Sequence, residues 1–167
     1  MSGQARITQI SVSAGGVPKH AVPAARVTTL GLEGDVQCNR RLHGRPERAL
    51  CLFALERIRA LLAEGHPITP GSIGENLTLE GVDWGAVTPG AYLQLGVDVV
   101  LQVTAYTAPC TNITGSFRDR DSARVSQKRH PGDSRVYARV LREGALASGD
   151  PARVLPADAA QGLIRCR

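Results

Sequence analysis

Apolar and polar residues alternate along much of this chain, which predicts short β-strands separated by turns. Residues 7–12 and 135–141 alternate as half-buried strands do. The run 49–53 is continuously apolar, which predicts a strand buried on both faces. Gly- and Pro-containing turns separate the other predicted strands, which lie at 26–30, 77–79, 92–95, 97–106 and 152–155.

One segment has a helical period instead. Between residues 54 and 64 apolar side chains recur at helical spacing, and Gly65 supplies a C-terminal stop. The apolar positions are Leu55, Ile58, Leu61 and Leu62. Many short strands and one covering helix predict a mainly β fold, a closed or partly open β-barrel, with a β-sandwich as the alternative.

The length of 167 residues fits one domain, 1–167, which ends in a tail at 156–167. Its four cysteines are far apart, so neither a zinc ribbon nor a redox dithiol is visible. No stretch reaches the ~20 apolar residues of a membrane span, and the N-terminus lacks the pattern of a signal peptide. We therefore expect a cytoplasmic protein with reduced thiols and no membrane partner.

The formal charge of +5 comes almost entirely from arginine, because Lys19 and Lys128 are the only lysines. Arginine presents a planar fork that suits phosphate and other oxyanions. Aromatic residues make up only 4% of the chain and do not interleave with the basic ones. This pattern disfavours nucleic acid as a partner and favours a small anionic ligand.

Cys110 is the principal candidate for chemistry. It follows a predicted strand and Pro109, which cannot donate to a ladder, so the thiol is expected on a loop at a strand end. Convergence of the flanking basic segments would stabilise its thiolate and bind an anion. A half-buried structural cysteine is the alternative. The flanking candidates are Arg40, Arg41, His43 and Arg45 upstream and Arg118, Arg129 and Arg135 downstream.

Other residues carry weaker signals. Glu75 and Asn76 stand at a strand start after a glycine-containing turn, where they can cap the turn or bond a polar ring system. Cys51 lies inside the apolar run and is interpreted as core. Cys38 has polar, basic neighbours, which leaves a second reactive thiol open.

The order of these segments resembles the MOSC domain, the C-terminal domain type of molybdenum-cofactor sulfurases, which also occurs as small stand-alone proteins. The resemblance spans a core of about 27–155. It rests on five anchors: Gly31-Leu32-Glu33-Gly34-Asp35, His43-Gly44, Gly71-Ser72-Ile73-Gly74-Glu75-Asn76-Leu77, Pro109-Cys110, and Arg139-Val140-Leu141 through Gly149-Asp150.

The resemblance implies a barrel that binds the molybdenum cofactor, a molybdopterin with a phosphate and an oxo-metal centre. Cys110 matches the family's cysteine, which acts as a persulfide sulfur carrier or as a thiolate ligand to molybdenum. The Arg-rich segments, with Glu75 and Asn76, would then bind the cofactor. Whether the chain is an enzyme is left open between a molybdenum-dependent oxidoreductase and a sulfur transferase.

Three functions remain in competition. A sulfur carrier requires a pyridoxal-phosphate cysteine desulfurase as partner. A reductase of N-hydroxylated compounds requires a separate flavin or iron–sulfur electron donor, because the cysteines match no ferredoxin spacing. The third is a non-catalytic, basic anion-binding module, which would not need Cys110.

Two further hypotheses concern the neighbourhood of Cys110. Many family members carry an arginine where this chain has Thr107, and Arg45 replaces a glycine that often follows His-Gly; Arg45 is therefore expected to compensate. The long polar segment 112–134 is expected to fold over the site, because its exposed cations need an anion or solvent.

Overall fold

The computed structural model describes residues 3–36 and 45–166. Within these ranges the regular structure consists of two α-helices, four 3₁₀-helices and eleven strands. The strands are β1 (Arg6–Val12), β2 (His20–Val22), β3 (Ala24–Thr28), β4 (Gly31–Leu32), β5 (Leu50–Ala54), β6 (Leu77–Glu80), β7 (Tyr92–Leu95), β8 (Val99–Tyr106), β9 (Val136–Arg142), β10 (Gly144–Ala147) and β11 (Ala152–Leu155). The helices are α1 (Leu55–Ala63) and α2 (Ala157–Arg165), with 3₁₀ turns at Pro46–Arg48, Trp84–Ala86, Thr111–Ser116 and Ser122–Val125.

Eight strands form one sheet in the order β11-β7-β8-β9-β5-β6-β1-β2, and β10-β3-β4 form a second. All pairs are antiparallel except β5 and β6, which α1 connects as a crossover. The predicted burial of β5 on both faces is confirmed, since all five of its residues are buried. β5 lies between β6 and β9, so it occupies the middle of the larger sheet.

The larger sheet curls until β1 meets the residues that lead into β11. The Ile7 amide donates to the Asp150 carbonyl at 2.8 Å, and the Gly149 amide donates to the Ile7 carbonyl at 2.8 Å. Among the described residues, no ladder joins the edge strands β2 and β11. The mainly β fold is therefore confirmed, and complete closure into a barrel stays a prediction.

The predicted helix is confirmed as α1, which buries Leu55, Ile58 and Leu61 against the sheet. It ends in a Schellman motif at Gly65, whose φ is +93°. The Gly65 amide donates to the Leu62 carbonyl at 2.9 Å, and the next amide donates to the Leu61 carbonyl at 3.1 Å. Leu62 itself is exposed, because the buried stripe of α1 follows every third residue.

The sequence pattern missed several elements. β2 and β10 have little apolar alternation, and both are held by pairing, β2 with β1 and β10 with β3. The tail contains α2, which buries Ala160 and accepts a 3.2 Å hydrogen bond from Arg142 at the Leu163 carbonyl. Within the described ranges, no helix is long and apolar enough to cross a membrane.

Candidate functional site

A tight turn before β6 carries Glu75 into the protein interior. Its Oε1 accepts hydrogen bonds from the Gly71 amide at 2.6 Å and from the Thr78 hydroxyl at 3.3 Å. Gly71 has φ +86°, and a Cβ there would lie 2.5 Å from the Lys19 carbonyl oxygen, so the turn requires glycine. Glu75 is fully buried, and its Oε2 has no partner among the described residues. Burial raises the pKa of its carboxyl group.

Asn76 joins this turn to the centre of the sheet. Its backbone amide donates to the Cys51 carbonyl at 2.8 Å, and its Oδ1 accepts from the Cys51 amide at 3.0 Å. Its Nδ2 donates to Asp35 Oδ2 at 2.9 Å. The Asn76 side chain is therefore fixed by both strand β5 and the segment after β4.

Asp35 is the acidic end of a buried ion pair. Lys19 Nζ lies 2.6 Å from Asp35 Oδ1, and the two side chains are 9% and 4% exposed. Oδ1 also accepts from the Ser13 amide at 2.9 Å. Asp35 belongs to a glycine-containing anchor of the sequence, but its partner Lys19 was missed, since nothing local links two residues 16 positions apart.

The sequence predicts a strand that begins at Arg135, but β9 begins one residue later. Arg135 therefore lies immediately before β9. Its side chain is buried, with the residue only 5% exposed, and its Nη1 donates to the Ile73 carbonyl at 2.6 Å. Nε and Nη2 have no partner among the described residues. A guanidinium remains charged in proteins, so this site holds a buried cation with free donors.

Cys51 and Thr107 lie beside Arg135. The Cys51 Sγ is 3.7 Å from the Thr107 hydroxyl, and the Thr107 amide donates to the Arg135 carbonyl at 2.9 Å. Burial raises the pKa of the Cys51 thiol, and the positive charge of Arg135 opposes that shift. Cys51 is thus a buried, protonated thiol, in agreement with its interpretation as core.

Cys110 occupies the opposite kind of environment. It is an exposed free thiol directly before the 3₁₀ turn Thr111–Ser116, as the prediction of a loop at a strand end requires. Tyr137 lies in the electrostatic field of both Cys51 and Cys110. Burial raises its pKa to about 12, and the charges of Arg135 and Arg48 oppose this shift. The charges of both thiols therefore act on Tyr137, and Cys51 also pairs with it across β5 and β9.

A cation also covers that tyrosine. The Arg48 guanidinium carbon lies 5.2 Å from the centre of the Tyr137 ring, a cation–π geometry. Arg48 belongs to the 3₁₀ turn that leads into β5, and Tyr137 pairs with Cys51 across β5 and β9. The positive charge thus comes from the chain just before β5.

The remaining basic candidates are distributed differently. Arg45 and Arg129 are exposed, and so is Arg118, whose backbone amide donates to His66 Nδ1 at 3.3 Å beyond the end of α1. The hypothesis that Arg45 compensates for Thr107 stays a prediction. Four predicted residues lie outside the described ranges: Cys38, Arg40, Arg41 and His43. The structure thus groups Glu75, Asn76 and Arg135, and it leaves Arg45, Arg118 and Arg129 at the surface.

Several contacts fasten the segment 112–134 to the rest of the protein. The Ser116 hydroxyl lies 3.0 Å from the Ser72 hydroxyl on the turn before Glu75. Arg124 holds Glu64 at the end of α1 through Nε and Nη2, at 2.9 and 2.6 Å, and this bonding lowers the pKa of Glu64 to about 2. Closure of the segment over the site stays a prediction.

The match to a family model identifies the class of protein. The model of the MOSC domain matches residues 39–153, more than half of the chain. The chain therefore belongs to the MOSC domain family.

Individual relatives agree with this assignment. YiiM of Escherichia coli (strain K12) is 31% identical over 105 residues, 60% of this chain and 46% of YiiM. YflK of Bacillus subtilis (strain 168) is 28% identical over 141 residues, 83% of this chain and 62% of YflK. The chain thus matches less than two thirds of the length of each.

Solved structures give the same fold. A hypothetical protein of known crystal structure is 27% identical, with a TM-score of 0.70, over 89% of this chain and 68% of that protein. Crystalline YiiM of Escherichia coli is 25% identical, with a TM-score of 0.65, over 90% of this chain and 70% of its own. Both matches cover most of this chain, so its mainly β architecture is shared with these two proteins.

Proposed function

We propose that this protein binds the molybdenum cofactor and that Cys110 is the residue that handles its sulfur or ligates its metal. The family is associated with molybdenum-cofactor proteins. The observation that carries the proposal is the exposed Cys110 thiol in the segment after β8, whose charge acts on Tyr137, as do the charges of Arg48 and Arg135. A thiol reachable from solvent suits a ligand with a soft metal–sulfur centre, and arginines suit its anionic groups.

The described donor set fits such a ligand. Cys110 provides a sulfur donor, and Arg135 provides buried N–H groups with no partner among the described residues. Surface cations at Arg45, Arg118 and Arg129, and the candidates Arg40, Arg41 and His43, would add anion donors around the thiol. When bound, the cofactor would supply redox and sulfur chemistry, and the protein residues would position and shield it.

As a sulfur carrier, Cys110 would need a partner. Its thiolate would attack the outer sulfur of a persulfide on a pyridoxal-phosphate cysteine desulfurase. The S–S bond to the desulfurase cysteine would break, a new S–S bond to Cys110 would form, and the desulfurase would keep a thiolate. The exposed position of Cys110 supports this transfer, since the two sulfurs must meet, and a reducing cytoplasm would keep the thiol free.

A reductase of N-hydroxylated compounds is the alternative on the same site. It would take electrons from a separate flavin or iron–sulfur protein and would use Cys110 as a ligand to molybdenum. Both roles require the cofactor, and they differ in whether Cys110 carries an additional sulfur. A complete barrel around the site is part of this proposal, and the approach of β1 to β11 supports it.

The test is to express the full chain in a host that makes the cofactor and in one that does not, and to measure pterin and molybdenum in the purified protein. We expect both in protein from the first host only, and their loss in Cys110→Ser. Cys166→Ser is the matched control, because Cys166 is also an exposed free thiol but lies near the chain end. Absence of pterin from wild-type protein of both hosts would contradict the proposal.

A persulfide assay on the same samples separates the two roles. Sulfane sulfur on Cys110 after incubation with a cysteine desulfurase and cysteine is expected of the carrier. Its absence in a protein that retains molybdenum favours the reductase.

A further inference from the structure

Arg135 is a buried cation whose hydrogen bonding is incomplete. A guanidinium has five N–H donors. In Arg135 one of them, on Nη1, donates to the Ile73 carbonyl. Nε and Nη2 are buried and have no partner among the described residues. Burying a charged donor without a partner costs far more than leaving it at the surface. The position therefore requires a partner that residues 3–36 and 45–166 do not supply.

The free edge is the one that arginine uses to bind two oxygens. Elsewhere in this protein the Nε–Nη2 edge of Arg124 binds the two carboxylate oxygens of Glu64, at 2.9 and 2.6 Å. The same edge of Arg6 donates both of its hydrogen bonds to one oxygen, Glu80 Oε2, at 3.1 and 2.9 Å. In Arg135 this edge is buried and has no hydrogen-bond partner in the described part of the chain.

The acidic groups nearby do not hydrogen-bond Arg135. Asp35 is committed to Lys19, the Ser13 amide and Asn76. The Glu75 Oε2 has no partner among the described residues. Burial raises the pKa of the Glu75 carboxyl, and the charge of Arg135 opposes that shift.

The Cys51 thiol gives no compensating charge either. Its pKa is raised by burial, so it remains protonated at neutral pH. Among the described residues, the free Nε–Nη2 edge of Arg135 therefore has no hydrogen-bonded counter-ion.

We propose that Arg135 binds a small oxyanion, two of whose oxygens share one central atom, through its Nε–Nη2 edge. Phosphate and molybdate have this chemistry, whether free or as the end of a larger ligand. This inference deepens the proposed function and rests on it, because Arg135 is already among the cofactor's donors there. Its test uses protein without the cofactor, so it can fail independently of the role of Cys110.

The direct test is calorimetric titration of the full chain, purified from a host without the cofactor, with phosphate, molybdate or formate. Chloride at constant ionic strength measures non-specific screening. We expect saturable binding of the oxyanions but not of chloride. In Arg135→Gln the affinity should fall by a factor of roughly ten to a hundred, the equivalent of losing a charged hydrogen-bonded pair. Arg135→Lys should show a similar loss, because it retains charge but not the two-donor edge.

Arg139→Gln is the matched control, because Arg139 lies on β9, close in sequence to Arg135, but is exposed; the oxyanion affinity of this variant should equal that of the wild type. Phosphate contains no metal for Cys110 to ligate, so its affinity should also be unchanged in Cys110→Ser, which separates the anion site from the role of Cys110. Competition in cofactor-loaded protein identifies the source of the anion: displacement of phosphate indicates that an end of the cofactor occupies the edge, and retained binding indicates a free ion.

A measurement on the wild type alone covers the case in which the Arg135 variants do not fold. Crystals grown with molybdate should give an anomalous molybdenum peak with oxygens within hydrogen-bond distance of Nε and Nη2. Water alone at that edge, no saturable binding, or equal binding by wild type and Arg135→Gln would overturn the proposal.

Discussion

The thiols of Cys51 and Cys110 lie in opposite environments. Cys51 is the second residue of β5, is 7% exposed, and belongs to a group of buried polar residues that we call the buried network. Cys110 follows β8 and is exposed, and we group it, by exposure alone, with the exposed candidate arginines as the exposed rim. The buried network comprises Lys19, Asp35, Cys51, Glu75, Asn76, Thr107 and Arg135, and the exposed rim comprises Arg45, Cys110, Arg118 and Arg129.

The difference shows that the position of a cysteine relative to a strand decides whether its thiol is buried or accessible. Inside a strand the backbone is paired on both sides, so a thiol there is desolvated and its pKa is raised. Past the strand end the same side chain reaches solvent and can meet another molecule. The contacts of the buried network fix the scaffold of the sheet, and Cys110 is a thiol that another molecule can reach.

The largest expected difference is in thiol reactivity. Cys51 must wait for local or global opening before an alkylating reagent reaches it, so in native protein we expect it to react roughly a thousandfold or more slowly than Cys110. Peptide mass spectrometry after a timed iodoacetamide pulse measures both rates in one sample. In concentrated urea the rates should converge. Similar native rates would show that the buried network opens readily.

Removal of the buried cation of the Lys19–Asp35 pair should cost the most stability. Lys19→Met leaves the Asp35 carboxylate buried without its counter-ion, and we expect a loss of about 3–5 kcal/mol in the free energy of unfolding. Lys128→Met is the control, because Lys128 is exposed and should change stability by less than about 0.5 kcal/mol. Equal urea midpoints for the two variants would contradict a structural role for this pair.

The same substitution at the two cysteines sharpens the comparison. Cys51→Ser places a hydroxyl in a buried site and should destabilise the fold by about 1–3 kcal/mol. Cys110→Ser is at the surface and should change stability by less than about 0.5 kcal/mol. Chemical unfolding measures both. A large loss in Cys110→Ser would mean that this thiol has a structural role that its exposure does not reveal.

The smallest effect is a change with pH that comes from Glu75. Its pKa is raised in the folded state above the ordinary value of 4.5, so the folded protein holds this proton to higher pH. Stabilisation by this group is full below the unfolded pKa and is lost as the pH rises through the folded pKa. Relative to Glu75→Gln, which does not titrate, the wild type should lose stability as the pH rises above the ordinary value of 4.5, by at most about 1.4 kcal/mol per pH unit.

Urea unfolding of both proteins across that range measures the effect. A constant difference in the free energy of unfolding would show that the Glu75 carboxyl has the same pKa in the folded and unfolded states. If the wild type instead became more stable relative to Glu75→Gln as the pH rises, the pKa of the Glu75 carboxyl would be lowered in the folded state.

The sequence sufficed for features that depend on local pattern. The apolar run of β5, the period of α1 and Pro109 before Cys110 each predicted the burial or exposure that the structure has. β10 was missed because its sequence, Gly-Ala-Leu-Ala, has weak strand propensity, and its pairing with β3 decides its conformation.

The buried network could not be predicted in the same way. Its contacts join residues far apart in the chain, such as Arg135 with the Ile73 carbonyl, 62 positions away. Arg135 was identified as an anion donor, but its sequence neighbours give no sign that it is buried with two free donors. That information arises only when the turn before Glu75 packs against the start of β9.

The most direct test of the central claim is the ratio of molybdenum to protein in wild type and Cys110→Ser, purified in parallel from a host that makes the cofactor. The account predicts stoichiometric metal in the wild type and none above background in the variant, with both proteins equally stable. The same molybdenum content in both proteins, whether high or at background, would contradict the placement of Cys110 at the centre of the site.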